Sequence, residues 1–147
     1  MSMFGLGEGG RRVLLVLAAA LLSVGCAKPT QADLVGRWAL TDVSRQYLPA
    51  NLRTAAGQVD LVADGTFTAV GLPDMRIESS GRIISTRDGR GTWKILTLGG
   101  TDRVELVFAD GRGSELQIST SISSGPTLYY FLTDPDSGQR LEFVRRP

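Results

Sequence analysis

The sequence contains no histidine and a single cysteine among its 147 residues. Histidine is the commonest general base and the commonest transition-metal ligand, so its absence removes the usual means of acid–base catalysis and metal binding. One cysteine cannot form a disulfide within the chain and is too few for a zinc site. Carboxylate pairs could still catalyse hydrolysis. We nevertheless expect that the protein is not an enzyme and that it binds no metal and no cofactor.

A surplus of one charge is also absent, because 16 basic and 15 acidic residues nearly cancel and neither sign forms a run. Proteins that bind nucleic acid carry a strong positive field on the binding face. The charge balance therefore argues against nucleic acid as a partner. We expect the chain to be a monomer.

The longest apolar segment is too short to cross a membrane. The twelve residues from Val13 to Val24 are apolar except Ser23, and two basic residues, Arg11 and Arg12, precede them. A spanning helix needs about 20 apolar residues. Basic residues, a short apolar core and then small residues are typical of a secretory signal peptide.

The single cysteine, Cys26, ends this segment in the sequence Leu22-Ser23-Val24-Gly25-Cys26. The motif resembles the lipobox of bacterial lipoproteins, in which a small residue precedes an invariant cysteine. The resemblance implies a diacylglyceryl thioether on the sulfur of Cys26 and cleavage between Gly25 and Cys26. The alternative is a buried core helix with an incidental cysteine, but the segment lacks the amphipathic period of a soluble helix.

These expectations divide the chain into a signal peptide (1–25), a lipidated cysteine with a polar tether (26–33) and one domain (34–147). Two acyl chains are enough for stable anchoring, so the expected partner is a membrane. Ala27 is not the aspartate that can retain lipoproteins at an inner membrane. We expect an extracytoplasmic location at a cell membrane or an outer membrane, and the sequence does not choose between them.

Short alternating segments separated by turn residues fill the domain, as in antiparallel strands with one buried face. Asp64-Gly65 and Asp110-Gly111 each separate two such segments, which predicts two-residue type I′ hairpins. A longer hairpin loop is predicted at 134–138, where Asp134 and Asp136 could also begin a calcium loop but are explained by the turn. We predict strands at 35–41, 58–63, 66–70, 82–86, 91–97, 103–109, 114–122, 127–133 and 140–145.

Two long segments, 44–57 and 71–81, break the alternation. Pro49 suits a first helical turn and Gly57 a C-terminal cap, so we predict a short helix at 49–56. Eight or nine strands with almost no helix indicate an all-β fold. We predict an antiparallel up-and-down barrel of about eight strands, because closure removes the exposed edges of a long meander.

Two Gly-x-Trp elements, Gly36-Arg37-Trp38 and Gly91-Thr92-Trp93, support this fold. The first resembles the element on the opening strand of lipocalins and avidin-like barrels. That resemblance implies that Trp38 plugs the closed end of the barrel and that Arg145 or Arg146 on the last strand packs across it. The elements "GTW", "ADGTF" and "DPDSG" also resemble small lipoproteins of GC-rich bacteria, which have no established activity. Core packing alone would explain both tryptophans.

Three classes of function remain open for the domain: a binding barrel, a structural or interaction module with a filled core, and a carboxylate enzyme. The binding barrel is the leading hypothesis, because the predicted interior holds no charge and suits a small hydrophobic or amphipathic ligand. The ligand is expected to enter past Tyr47, Leu72 and Met75 in the two long segments. The interior is predicted to contain Val59, Leu61, Phe67, Val104, Leu106, Phe108, Leu116, Ile118, Leu141 and Phe143.

The segment "TLYYFLT" (127–133) has apolar or aromatic side chains on both faces. One face belongs to the barrel interior. The other, with Tyr129 and Phe131, must be covered or exposed. We predict that segment 44–57 covers it, and the alternative is a partner surface.

Overall fold

The computed structural model describes residues 27–74, 83, 85–121 and 123–147, and eight of its strands form a closed antiparallel barrel. Each strand pairs with its neighbour along the chain, and the last pairs with the first through Trp38 opposite Arg145. The predicted all-β up-and-down barrel is confirmed. The strands are β1 (Gly36–Leu40), β2 (Gln58–Leu61), β3 (Thr66–Pro73), β4 (Thr86–Leu98), β5 (Thr101–Phe108), β6 (Gly113–Ser121), β7 (Gly125–Phe131) and β8 (Arg140–Arg146).

One of the nine predicted strands, at 82–86, is wrong in its described part, because residues 83 and 85 belong to no strand. Thr86 is the first residue of β4, which is far longer than the predicted 91–97. Residues 82 and 84 lie outside the described residues. The start of β4 could not be predicted from the sequence "TRDGRG", because its charged residues and glycines show no alternation of apolar side chains.

Of the short helix predicted at 49–56, the structure has only a single 3₁₀ turn, so the predicted length is wrong. The long loop contains α2 (Asp42–Arg45) and a single 3₁₀ turn, Ala50–Leu52. The guanidinium of Arg45 donates hydrogen bonds to the carbonyl oxygens of Arg53, Ala55 and Ala56. These carbonyl groups are therefore satisfied without a helix.

The two Asp-Gly hairpins lie where predicted, but their loops contain three residues rather than two. The N–H of Gly65 donates to Val62 O, and the N–H of Gly111 donates to Phe108 O. Both glycines have positive φ, 83° and 80°. This geometry is a turn followed by a left-handed glycine, the second commonest hairpin connection.

The barrel interior is filled with side chains. All ten residues predicted to face inward are buried, and Trp38, Leu40, Ala69, Leu72, Trp93 and Leu128 join them. The rings of Phe67 and Phe108 meet edge to face with centroids 4.9 Å apart. Aromatic and leucine side chains thus occupy the space that an eight-strand barrel encloses.

Candidate functional site

The two ends of the barrel differ in construction. The end that we call the closed end carries the chain entry, the C-terminus and the connections after β2, β4 and β6. The opposite end, the loop end, carries the long connection 41–57 and those after β3, β5 and β7. The two long segments predicted to form a mouth therefore extend from the same end.

The closed end is sealed by α1 (Gln31–Leu34), which precedes β1. Leu34 and Trp38 are both fully buried, and the indole Nε1 of Trp38 donates to Leu34 O at 2.8 Å. The guanidinium of Arg145 lies 5.2 Å from the Trp38 ring centroid and also donates to the carbonyl oxygen of Asp33. Of the two candidate arginines, Arg145 makes the closure contact, whereas Arg146 lies opposite Arg37 and on the other face of β8.

The helix α1 lies partly within the segment predicted to be a polar tether, 26–33. The carboxylate of Asp33 accepts hydrogen bonds from the backbone N–H and the hydroxyl of Thr30, both at 2.7 Å. These bonds hold the pKa of Asp33 below its ordinary value, and the charge of Arg145 adds to the effect. Thr30 is thus held by hydrogen bonds to the barrel end, and Ala27 to Pro29 separate it from Cys26.

At the loop end, α2 is fixed to the last strand through Ser44, a buried polar residue. Its hydroxyl accepts from the N–H of Glu142 at 2.8 Å and donates to Arg140 O at 3.3 Å. The hydroxyl of Thr41 caps the helix by accepting from the N–H of Ser44. A residue in the long connection is therefore bonded to β8, nearly 100 positions away.

The rest of the long connection is braced by two arginines. Arg45 bonds the three carbonyl groups near residue 55 described above, and Arg53 donates to Leu48 O at 3.0 Å and Gln46 O at 3.1 Å. Hydrogen bonds from charged donors are stronger than neutral ones. These hydrogen bonds hold the connection 41–57 in one conformation at the loop end of the barrel.

A pocket of about 430 Å³ lies between the long connection 41–57 and the loop that joins β7 to β8. Its apolar part is formed by Leu48 and Ile83, which are buried, and by Leu132, which is half-buried. Polar groups surround that part. The lining residues are Gln46, Tyr47, Leu48, Pro49, Arg53, Ile83, Leu132, Thr133 and Gln139.

The structure separates the residues that were predicted to line the mouth. Tyr47 lines the pocket and is 45% exposed, as expected for a rim residue. The rim position predicted for Leu72 is wrong, because β3 continues through it and only 1% of it is exposed. The register shifts between Ala69 and Leu72, which returns Leu72 to the inner face. Met75 lies outside the described residues, as do Gly25 and Cys26.

One residue that the sequence analysis missed, Arg87, lies at the loop-end rim. Its guanidinium lies 4.1 Å from the Phe108 ring centroid and 2.6 Å from a carboxylate oxygen of Asp110. The hydrogen bond from Arg112 N–H, together with the charge of Arg87, holds the pKa of Asp110 below its ordinary value. Once β4 is known to begin at Thr86, Arg87 shares the inner-face register with Gly89, Gly91 and Trp93. No signal in the sequence indicated this position, because the segment has no alternation of apolar side chains.

The outer face of β7 is half-exposed. The rings of Tyr129 and Phe131 pack edge to face with centroids 5.2 Å apart, and the guanidinium of Arg140 lies 4.9 Å from the Tyr129 centroid. The hydroxyl of Tyr129 donates to Gln117 at 3.0 Å. Residues of β6, β7 and β8 make these contacts, so the segment 44–57 does not form the predicted cover over Tyr129 and Phe131. That segment lies instead beside Leu132 and Thr133, which follow β7.

The residues tested as a calcium loop form a hairpin loop. Asp134 accepts from the N–H of Asp136 at 3.0 Å, and Gly138 has a φ of 70°. Among the described residues, no group of three or more carboxylate, histidine or cysteine side chains could hold a metal ion. Within the same residues, no helix has the length and apolar character that crossing a membrane requires.

Comparison with known proteins does not extend this description. No protein-family model, curated protein or solved structure matches the chain.

Proposed function

We propose that the chain is a lipid-anchored protein of the cell envelope whose barrel binds a small apolar or amphipathic molecule in the loop-end pocket. The anchor is the diacylglyceryl thioether that the lipobox motif implies on Cys26. The role is binding, and no reaction is assigned to it. The observation that carries the proposal is the position of the pocket, at the barrel end opposite to the anchored chain entry.

The pocket chemistry supports an amphipathic ligand. Its volume of about 430 Å³ falls in the range of small-molecule sites, about 300–1,000 Å³. Leu48, Ile83 and Leu132 offer an apolar surface, and Tyr47 and Gln139 offer polar groups beside it. Because side chains fill the interior, we expect the ligand to bind at the mouth of the barrel, whereas the sequence predicted a site inside it.

A second candidate is a structural or interaction module of the envelope. The filled barrel interior favours it, since a packed core needs no ligand for stability. The two candidates share the anchor and differ only at the loop-end pocket. A test of the pocket therefore separates them.

The anchor predicts that Cys26→Ser abolishes lipid modification, because only the thiol sulfur can form the thioether. Cells expressing the variant should incorporate no radiolabelled fatty acid into the protein, and the protein should carry no lipid on its N-terminal peptide by mass spectrometry. Ser23→Ala keeps Gly25-Cys26 and should still be labelled. Fatty acid in the Cys26→Ser variant would show that the acceptor is another residue.

The pocket predicts saturable binding of an environment-sensitive fluorescent fatty-acid or retinoid probe to the soluble domain, residues 28–147. Leu132→Glu places a charge against the apolar surface and should weaken binding at least about tenfold, because a buried carboxylate loses its hydration. Val43→Glu is the matched control, since Val43 is 66% exposed at the same end and does not line the pocket. Absence of saturable binding, or equal loss in both variants, would favour the structural module.

A further inference from the structure

The lipid anchor and the closed end of the barrel lie close together in the chain. Cys26 is four residues from Thr30, the N-cap of α1, so an extended chain places them at most about 14 Å apart. Ala27 to Pro29 also border a shallow cleft with Ser121, Pro126 and Arg145 at the same end. A membrane that holds Cys26 therefore lies within a short distance of the closed end.

A hairpin arm projects from this end. The β3–β4 pairing ends at Thr66 opposite Thr92, whereas the β4–β5 pairing continues to Leu98 opposite Thr101. Trp93 N–H still donates to Gly65 O in the β2–β3 turn, so five residues of β4, 94–98, extend past that turn, about 17 Å along the strand. On its other side the hairpin is flanked by β6 as far as Gln117 opposite Arg103, so the part that stands clear of both neighbouring strands is the tip, 97–102.

The tips of two closed-end hairpins expose aliphatic side chains. Leu98, at the end of the arm, is 47% exposed, and Val62, in the β2–β3 turn, is 44% exposed. Gly99 and Gly100 complete the arm tip, and a Cβ at either would meet nothing within 4 Å. Small apolar tips of this kind suit the boundary between lipid head groups and acyl chains.

Charge at the closed end is balanced. Lys28, Arg145 and Arg146 are offset by Asp33, Asp64 and Asp102. The carboxylate of Asp64 accepts from the N–H and hydroxyl of Thr66, which lowers its pKa. Attraction to anionic lipids therefore contributes little, and contact with the membrane depends on the anchor and the apolar tips.

We propose that the closed end docks on the lipid surface that holds the anchor, with Leu98 at the arm tip among the head groups, Val62 facing the surface behind it, and the loop-end pocket facing away. The inference rests on the proposed function, because it requires lipid on Cys26. Two aliphatic side chains alone bind a membrane weakly. The anchor supplies a high local concentration, which turns this weak contact into a fixed orientation.

The test uses the full lipidated protein in vesicles of phosphatidylethanolamine and phosphatidylglycerol that contain a nitroxide head-group lipid. Lipid blocks the thiol of Cys26, so Leu98→Cys and Val43→Cys each offer one site for a fluorescent label. Quenching at position 98 should exceed quenching at position 43 at least about twofold, since Val43 lies at the loop end. Raising the salt concentration should leave the difference unchanged.

A second pair of variants tests the arm itself. With the label at Val62→Cys, Leu98→Asp should reduce the quenching, whereas Val70→Asp, at a residue of similar exposure on the barrel wall, should not. Equal quenching at positions 98 and 43 on a lipidated protein would overturn the docking and leave the anchor intact. An N-terminal peptide without lipid on Cys26 would overturn both.

Discussion

Replacing Trp38 with alanine should lower the free energy of unfolding by about 3–5 kcal/mol, the range for a large buried aromatic residue. The indole is fully buried between α1 and the barrel. Its loss leaves a cavity, removes the partner of Leu34 O and removes the ring on which Arg145 lies. The contacts that join α1, β1 and β8 at the closed end would therefore be weakened at the same time. Denaturant unfolding of the purified domain measures the change.

Two variants divide this loss into its parts. Trp38→Phe keeps most of the volume but loses the Nε1 hydrogen bond, and should cost about 1–3 kcal/mol because Leu34 O is left unpaired. Arg145→Ala should cost about 0.5–2 kcal/mol through the cation–π contact. Tyr47→Ala, at an exposed ring, is the control and should change little. A loss below about 1 kcal/mol for Trp38→Ala would mean that the first strand does not close the barrel in this way.

Gly91→Ala should destabilise the barrel by at least about 3 kcal/mol, at the upper end of the cost of overpacking. A Cβ at this position would lie 1.9 Å from Val107 O and 2.8 Å from the Cα of Phe108. Both are backbone atoms of β5, so no side-chain rotation relieves the contact. Gly91 lies opposite Phe67 on one side and Phe108 on the other. The strand would have to separate from β5 beside the aromatic pair.

The matched control is Gly113→Ala, also within a strand. A Cβ there would approach Leu106 O only to 3.8 Å, an ordinary contact. Alanine also restricts the unfolded chain more than glycine, so this variant should be neutral or slightly stabilising. Thermal unfolding of the two variants side by side tests the geometry. Similar melting temperatures for both would show that β4 and β5 are farther apart at Gly91 than the structure has them.

Much of the barrel followed from the local pattern of the sequence. Alternation along Val104, Leu106 and Phe108 predicted which side chains face inward, because successive residues of a strand point to opposite faces. The Asp-Gly pairs located two hairpins, because a glycine takes the positive φ that ends such a turn. These features depend on residues close in sequence, which is why composition and period were sufficient.

The choice between the two terminal arginines was also available from the sequence. Leu141, Phe143 and Arg145 share one face of β8, and Arg146 belongs to the other. Extending the alternation by one step assigns Arg145 to the Trp38 ring. Both arginines remained candidates because a charged side chain is not expected on the inner face of a strand. At the end of a barrel, however, its stem packs against the ring while its charged head reaches solvent.

The sequence by itself determined the strand pattern, the hairpin positions, the apolar interior and the scarcity of catalytic groups. Tertiary structure alone decided that β3 shifts its register to bury Leu72, that β4 begins within a glycine-rich charged segment, and that Arg45 replaces a helix in the long connection. The physical reason is the same in each case. Backbone groups are bonded to a partner in another part of the chain, 8 to 11 positions away for Arg45 and farther for the strands, and local periodicity does not encode that partner.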